Sequence, residues 1–129
     1  MDNIIVVAKE AVKNQSCFPF FVYFSHKEQM ITNVPIIKPL LIFILSGTKQ
    51  LGKSGSVECL SGSFVFLSNS PRIDMRNIPI QEEYFAVLID FEHEDFAELP
   101  KNSAPYKKYF QGEINPVLAS ALCQLIEFS

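Results

Sequence analysis

The chain has 129 residues, the size of one domain, and 48% of them are hydrophobic, with twelve Phe and no Trp; a core of that kind needs no disulfide or metal staples. The formal net charge is -3 and the densest basic cluster is Lys107-Lys108, so the phosphate-neutralising patch of a nucleic-acid-binding surface is missing from this segment. The longest apolar run, Pro39 to Leu45, is far below the ~20 residues that span a bilayer, and Lys9, Glu10 and Lys13 interrupt the first one where a secretory signal runs unbroken; a soluble, cytoplasmic domain is expected.

Asp2 to Asn14 reads as a short amphipathic helix, with Ile4, Ile5, Ala8 and Val12 on one stripe and Asp2 or Asn3 available as N-cap. From Phe18 the character changes. Phe20 to Phe24 is aromatic and β-branched and predicts a strand buried on nearly both faces. Met30 to Val34 is a weaker strand, closed by Pro35, and Pro39 introduces the most hydrophobic strand, Leu40 to Leu45. Gly47, Gly52, Gly55 and Gly62 then punctuate segments too short for helices, a spacing that suits hairpins turning every few residues. Phe64 to Leu67, the alternating Arg72 to Arg76, and Tyr84 to Phe91 supply three more strands. Strands are thus expected over about 18–91, and the fold class is mainly β: an antiparallel sandwich or barrel.

Helices are expected over 92–129. Glu92 to Leu99 and Ser103 to Phe110 are short pieces, and Asn115-Pro116 is a clear helix start. Leu118, Leu122, Leu125 and Ile126 form its stripe, which runs intact towards Ser129, as in a helix cut short. The chain is therefore expected to be the N-terminal portion of a longer protein.

Catalytic patterns are weak. His26 and His93 stand far apart beside carboxylates, and a metal site needs three or four convergent ligands. Cys17, Cys59 and Cys123 make no CxxC and read as reduced, mostly buried thiols. Glu82-Glu83 and the Glu92, Glu94, Asp95, Glu98 cluster read as solvated faces, and no serine sits in a GxSxG elbow. Gly47 to Ser54 matches GxxxxGKS, but a phosphate loop must open a long helix, and Gly55 follows at once. The expectation is no catalysis, no cofactor and no metal. Phe20, Phe24, Phe43, Phe64, Phe66 and Phe85 either fill the core or line a pocket for a small apolar ligand; both readings stand.

The order of these elements carries a resemblance. A short helix and a Phe-rich strand precede a Pro-introduced apolar strand ending in Leu45-Ser46-Gly47-Thr48-Lys49; then come Leu60-Ser61-Gly62-Ser63-Phe64-Val65-Phe66-Leu67 and the strand from Tyr84 to Phe91. This is similar to the N-terminal, cupin-like domain of AraC-type transcriptional regulators, and the similarity covers roughly Met1 to Ser129. It implies a jelly-roll barrel that binds a small-molecule effector, helices that form a homodimer, and DNA binding only through a C-terminal helix-turn-helix domain outside this chain. Tyr23, Phe43, Phe66, Arg72 and Tyr84 are the expected ligand-binding residues, and Leu118, Leu122, Leu125 and Ile126 the expected dimer helix. The HxH cluster of metal-dependent cupin enzymes is missing, since Asn69-Ser70-Pro71-Arg72 stands in the later motif region. A small cupin-like isomerase or dioxygenase and a purely structural dimerisation module are the competing readings.

Overall fold

The computed structural model describes residues 5–7, 9, 21–36, 38–52, 57–67, 70–91 and 109–127. Nine strands follow one another: β1 (Phe21–Ser25), β2 (Gln29–Ile36), β3 (Leu40–Ser46), β4 (Thr48–Leu51), β5 (Val57–Leu60), β6 (Ser63–Leu67), β7 (Ser70–Ile78), β8 (Tyr84–Asp90) and β9 (Tyr109–Glu113). Helix α1 (Pro116–Glu127) closes the described chain. One sheet has the order β1-β8-β3-β6-β9, the other β2-β7-β4-β5, and every pairing is antiparallel. The first eight strands pair in a nest: β1 with β8, β2 with β7, β3 with β6, β4 with β5. Such nesting arises when one long antiparallel ribbon rolls up into two facing sheets.

Side-chain alternation explains how the sheets stack. Along β8, Phe85, Val87 and Ile89 join Phe43 and Leu45 of β3 in a cluster with Leu122, Cys123 and Ile126 of α1. The intervening residues Tyr84, Ala86 and Leu88 join Ile42 and Ile44 of β3, Leu51 of β4, Cys59 of β5 and Met75 of β7 in a second cluster between the sheets. The five-stranded sheet is therefore the middle layer, with α1 on one face and the four-stranded sheet on the other. A strand covered on both faces must be apolar at every position, which is why β3 reads Leu-Leu-Ile-Phe-Ile-Leu.

Local signals account for the ends of these elements. Asn115 Oδ1 accepts the Leu118 backbone N–H at 2.7 Å, the N-cap bond expected before Pro116. Gly47, with φ of 91°, is the bend at which the chain passes from β3 in one sheet to β4 in the other. A Cβ there would lie 2.8 Å from the Ile78 carbonyl oxygen and 2.9 Å from Tyr84 Cδ2.

Three expectations need correction. β1 is an edge strand, and Phe21 and Phe24 are exposed, so it is not buried on both faces. β2 continues through Pro35 to Ile36, which an edge strand tolerates because its outer N–H groups are unpaired. Tyr109 and Phe110, placed in a helical piece by sequence, begin β9 and pair with Leu67 and Phe66. Residues 5–7 and 9 are helical, as expected, and Ile5 and Val7 pack on the α1-side cluster. The remainder of the Asp2–Asn14 helix, Cys17, Phe20 and the Glu92–Leu99 helix lie outside the described residues.

The two structural glycines predict different mutational costs. Gly47→Ala combines positive-φ strain with a backbone clash and is expected to destabilise by about 3 kcal/mol or more. Gly62→Ala, at φ of 89° with nothing within 4 Å of the new Cβ, meets only the strain of about 1–2 kcal/mol. Urea unfolding of both variants measures the gap, and equal losses would contradict the close approach at Gly47.

Candidate ligand-binding site

A cavity of about 430 Å³ lies between the two sheets. At roughly 30 Å³ per water-sized group, it has room for about fourteen such groups. On the middle sheet it is lined by Tyr84, Ala86, Leu88 and Asp90, every second residue of β8, together with Leu40 and Ile42 of β3 and Tyr23 of β1. The facing wall comprises Met75 and Asn77 of β7, Lys49 of β4, and Ile31, Val34, Pro35 and Ile36 of β2. Most of this surface is apolar; the polar groups sit towards its two ends.

One end is closed. Lys49 is 5% exposed, Asn77 3% and Tyr84 1%. β4 and β7 are in register there, with Lys49 opposite Asn77, and Lys49 Nζ donates to Asn77 Oδ1 at 2.8 Å. The same ammonium lies 5.8 Å from the centre of the Tyr84 ring, within cation–π range. Tyr84 packs edge-on against Tyr23, its ring centre 5.9 Å away. Its hydroxyl is buried and has no hydrogen-bond partner among the described residues. No carboxylate pairs with Lys49 among the described residues. Burial pulls the Lys49 ammonium down to about 8, against a smaller opposing effect of Cys59. Burial likewise pushes the Tyr84 phenol up, reinforced by Tyr23 and Cys59.

The opposite end opens towards solvent between Lys38 and Asp90. Strand β2 forms this wall with a defect in its pairing. Its register slips between Ile31 and Val34, and Asn33 sits at φ of 55°. Asp74 Oδ1 accepts the Asn33 N–H at 2.8 Å, and Arg72 Nη1 donates to the Asn33 carbonyl at 3.2 Å. A bulge of this type re-aims side chains; here it lets Ile31 and Val34, three residues apart, both face the cavity.

Of the residues expected to bind ligand, Tyr23 and Tyr84 line the cavity. Phe43 belongs to the cluster on the α1 side of the middle sheet. Phe66 is half-buried on β6, two residues from Phe64 of that same cluster. Arg72 is exposed and holds the β2 bulge. Leu122 and Ile126 of the stripe are buried against the middle sheet, with Leu118 and Leu125 half-buried beside them. The sequence reading missed Lys49 and Asn77. The available signal was parity: Lys49 lies two residues from Leu51, so a strand that buries Leu51 also turns Lys49 inward. Gly47 of the GxxxxGKS match is followed by strand β4 rather than a helix. His26 Nδ1–H donates to the Glu82 carbonyl at 3.0 Å, and the ring packs on Phe24; His93 lies outside the described residues. Among the described residues no three His, Cys, Asp or Glu side chains converge as metal ligands, and no helix is long and apolar enough to cross a membrane.

A buried lysine with a lowered pKa makes stability depend on pH. Between about 8 and 10.5 the unfolded chain holds the Lys49 proton more tightly than the folded one, so this contribution to stability rises with pH. Below that window both states carry the charge and the full burial cost stands. Cys59 and Tyr84, both pushed up by burial, act in the opposite sense at higher pH. Comparison with Lys49→Met isolates the lysine: the variant should be more stable at pH 7 by on the order of 3 kcal/mol, with the gap closing as pH rises. Urea unfolding across pH 6 to 10 tests this, and a gap independent of pH would contradict it.

No protein-family model and no curated protein sequence matches the chain. Solved structures do. ToxT from Vibrio cholerae O395 bound to (E)-4-(8-methylnaphthalen-1-yl)but-3-enoic acid superposes with a TM-score of 0.64 at 18% identity, over 84% of this chain and 47% of that one. Unsaturated fatty acid-bound ToxT from Vibrio cholerae strain SCE256 gives 0.62 at 17%, over 86% and 47%. YhaK from Escherichia coli gives 0.52 at 13%, over 74% and 41%. The chain thus spans about half the length of the ToxT chains. What it shares with them is the fold, a cupin-like β-sandwich with a helix packed against it.

Proposed function

We propose that this chain is the effector-sensing and dimerising domain of an AraC-type transcriptional regulator, and that its effector is an apolar carboxylic acid held between the sheets. The observation that carries this reading is the buried ammonium of Lys49, which closes one end of a mostly apolar cavity and meets a neutral amide and an aromatic ring among the described residues. A lone buried charge costs several kcal/mol, and a carboxylate arriving at Nζ removes that penalty while its hydrocarbon body fills the apolar space. Tyr84, whose hydroxyl is buried and unpartnered, supplies a second donor for the same head group. The fold shared with ToxT, an AraC-type regulator, supports the class, and two of the ToxT structures hold organic acids with apolar bodies.

Dimerisation belongs to the same proposal. With Leu122 and Ile126 packed inside, a partner would use the rest of α1, where Val117 is 80% exposed and Leu118 and Leu125 border the surface. Binding influences that surface only if the acid prefers one arrangement of the sandwich and helix over another. DNA contact is assigned to a C-terminal domain outside this chain, and the site of action to the cytoplasm.

Thermal unfolding with decanoic acid and with decanol tests the sensing reading. At a hundredfold excess over Kd the acid should raise Tm by about 5 °C or more, the alcohol by less, and Lys49→Met should erase the difference. If neither molecule shifts Tm, and a crystal structure shows side chains filling the space between the sheets, the sensing role is refuted and the structural dimerisation module takes its place.

A further inference from the structure

The cavity ends in a lysine rather than an arginine, and the two differ chemically. A guanidinium stays charged, whereas an amine that loses its proton becomes a nucleophile. Lys49 has the surroundings that favour the free amine: it is 5% exposed, its hydrogen-bond partner is the neutral Asn77 amide oxygen at 2.8 Å, and no carboxylate pairs with it among the described residues. Burial brings its pKa to about 8, so roughly a tenth of the chains carry the free amine near pH 7. The amine faces an apolar space of about 430 Å³, and the unpartnered Tyr84 hydroxyl lines the same space.

We propose that Lys49 captures apolar aldehydes in this cavity as a reversible imine, with the Tyr84 hydroxyl as proton relay. The Nζ lone pair adds to the carbonyl carbon, and the carbonyl π pair moves to oxygen. That oxygen takes the Tyr84 proton while the new C–N nitrogen returns one to Tyr84, leaving a neutral carbinolamine and a neutral phenol. The carbinolamine hydroxyl then departs with the remaining nitrogen proton as water, and the C=N bond forms. One aldehyde and one amine give one imine and one water, without oxidant or reductant. A relay that leaves the phenol neutral suits Tyr84, whose phenolate is strongly disfavoured by burial. The capture needs the cavity of the effector-sensing reading but not its carboxylate chemistry.

The experiment treats the chain with decanal and sodium cyanoborohydride, which fixes any imine as a stable secondary amine, and maps the adduct by peptide mass spectrometry. The expected result is one dominant adduct at Lys49, formed at least about tenfold faster at pH 8 than at pH 6 as the free-amine fraction grows, and suppressed by decanoic acid. Tyr84→Phe should slow labelling while keeping the far-UV circular dichroism and the cooperative urea unfolding of the unsubstituted chain, which shows that the variant is folded. Labelling spread evenly over exposed lysines such as Lys27, or absent from Lys49 while decanoic acid still stabilises the chain, overturns the imine and leaves the sensing reading intact. No adduct and no stabilisation by decanoic acid overturns both.

Discussion

The charge on Lys49 is the constraint around which the sandwich is organised. An ammonium 5% exposed, facing one amide oxygen and one aromatic ring, is an unfavourable feature of the empty fold. Replacing it with an apolar residue of similar length would improve packing. On the proposed reading, its presence at the closed end of a mostly apolar cavity is stability given up for recognition, as at other sites where buried titratable groups are held away from their ordinary pKa. The surrounding elements serve that placement. Gly47 turns the chain between sheets two residues before Lys49, and the close approach of Gly47 to Tyr84 fixes the ring over which the ammonium sits.

The layering separates two jobs that a single sheet face could not perform together. On the α1 side, Phe43, Phe85, Val87, Leu122 and Ile126 pack into one hydrophobic cluster and supply conventional core stability. On the other side, facing the four-stranded sheet, the alternate residues of the same strands leave room for a ligand. Strand β3 contributes to both, so a ligand pressing on Ile42 presses on a strand whose next residue, Phe43, touches the helix layer. For the proposed effector that geometry is a short path to α1, the element proposed to meet a second subunit.

Much of the architecture was legible in the sequence, because it rests on short-range rules. Closely spaced glycines announce the turns, the run Leu40 to Leu45 announces the most hydrophobic strand, and Asn115-Pro116 announces a helix start. The failures came where sheet position overrides local pattern. Phe20 to Phe24 is as aromatic as a central strand, yet β1 is an edge, and its apolar side chains are partly exposed. Tyr109 and Phe110 read as the end of a helical piece from Ser103 to Phe110, yet they begin β9, which pairs with β6. The ligand site was half visible. Of the aromatic residues expected to bind ligand, Tyr23 and Tyr84 line the cavity between the sheets, whereas Phe43 falls on the other face by parity. Lys49 goes unassigned in the sequence although its parity with Leu51 turns it inward; the register opposite Asn77 places it there.

The most direct test of this account is the titration of Lys49 itself, followed by heteronuclear NMR of its side-chain nitrogen and Cε. The account predicts a midpoint near pH 8 in the free chain and a clear upward shift when decanoic acid is added, as the carboxylate stabilises the ammonium. A midpoint at the ordinary lysine value of 10.5, unmoved by the acid, would contradict it.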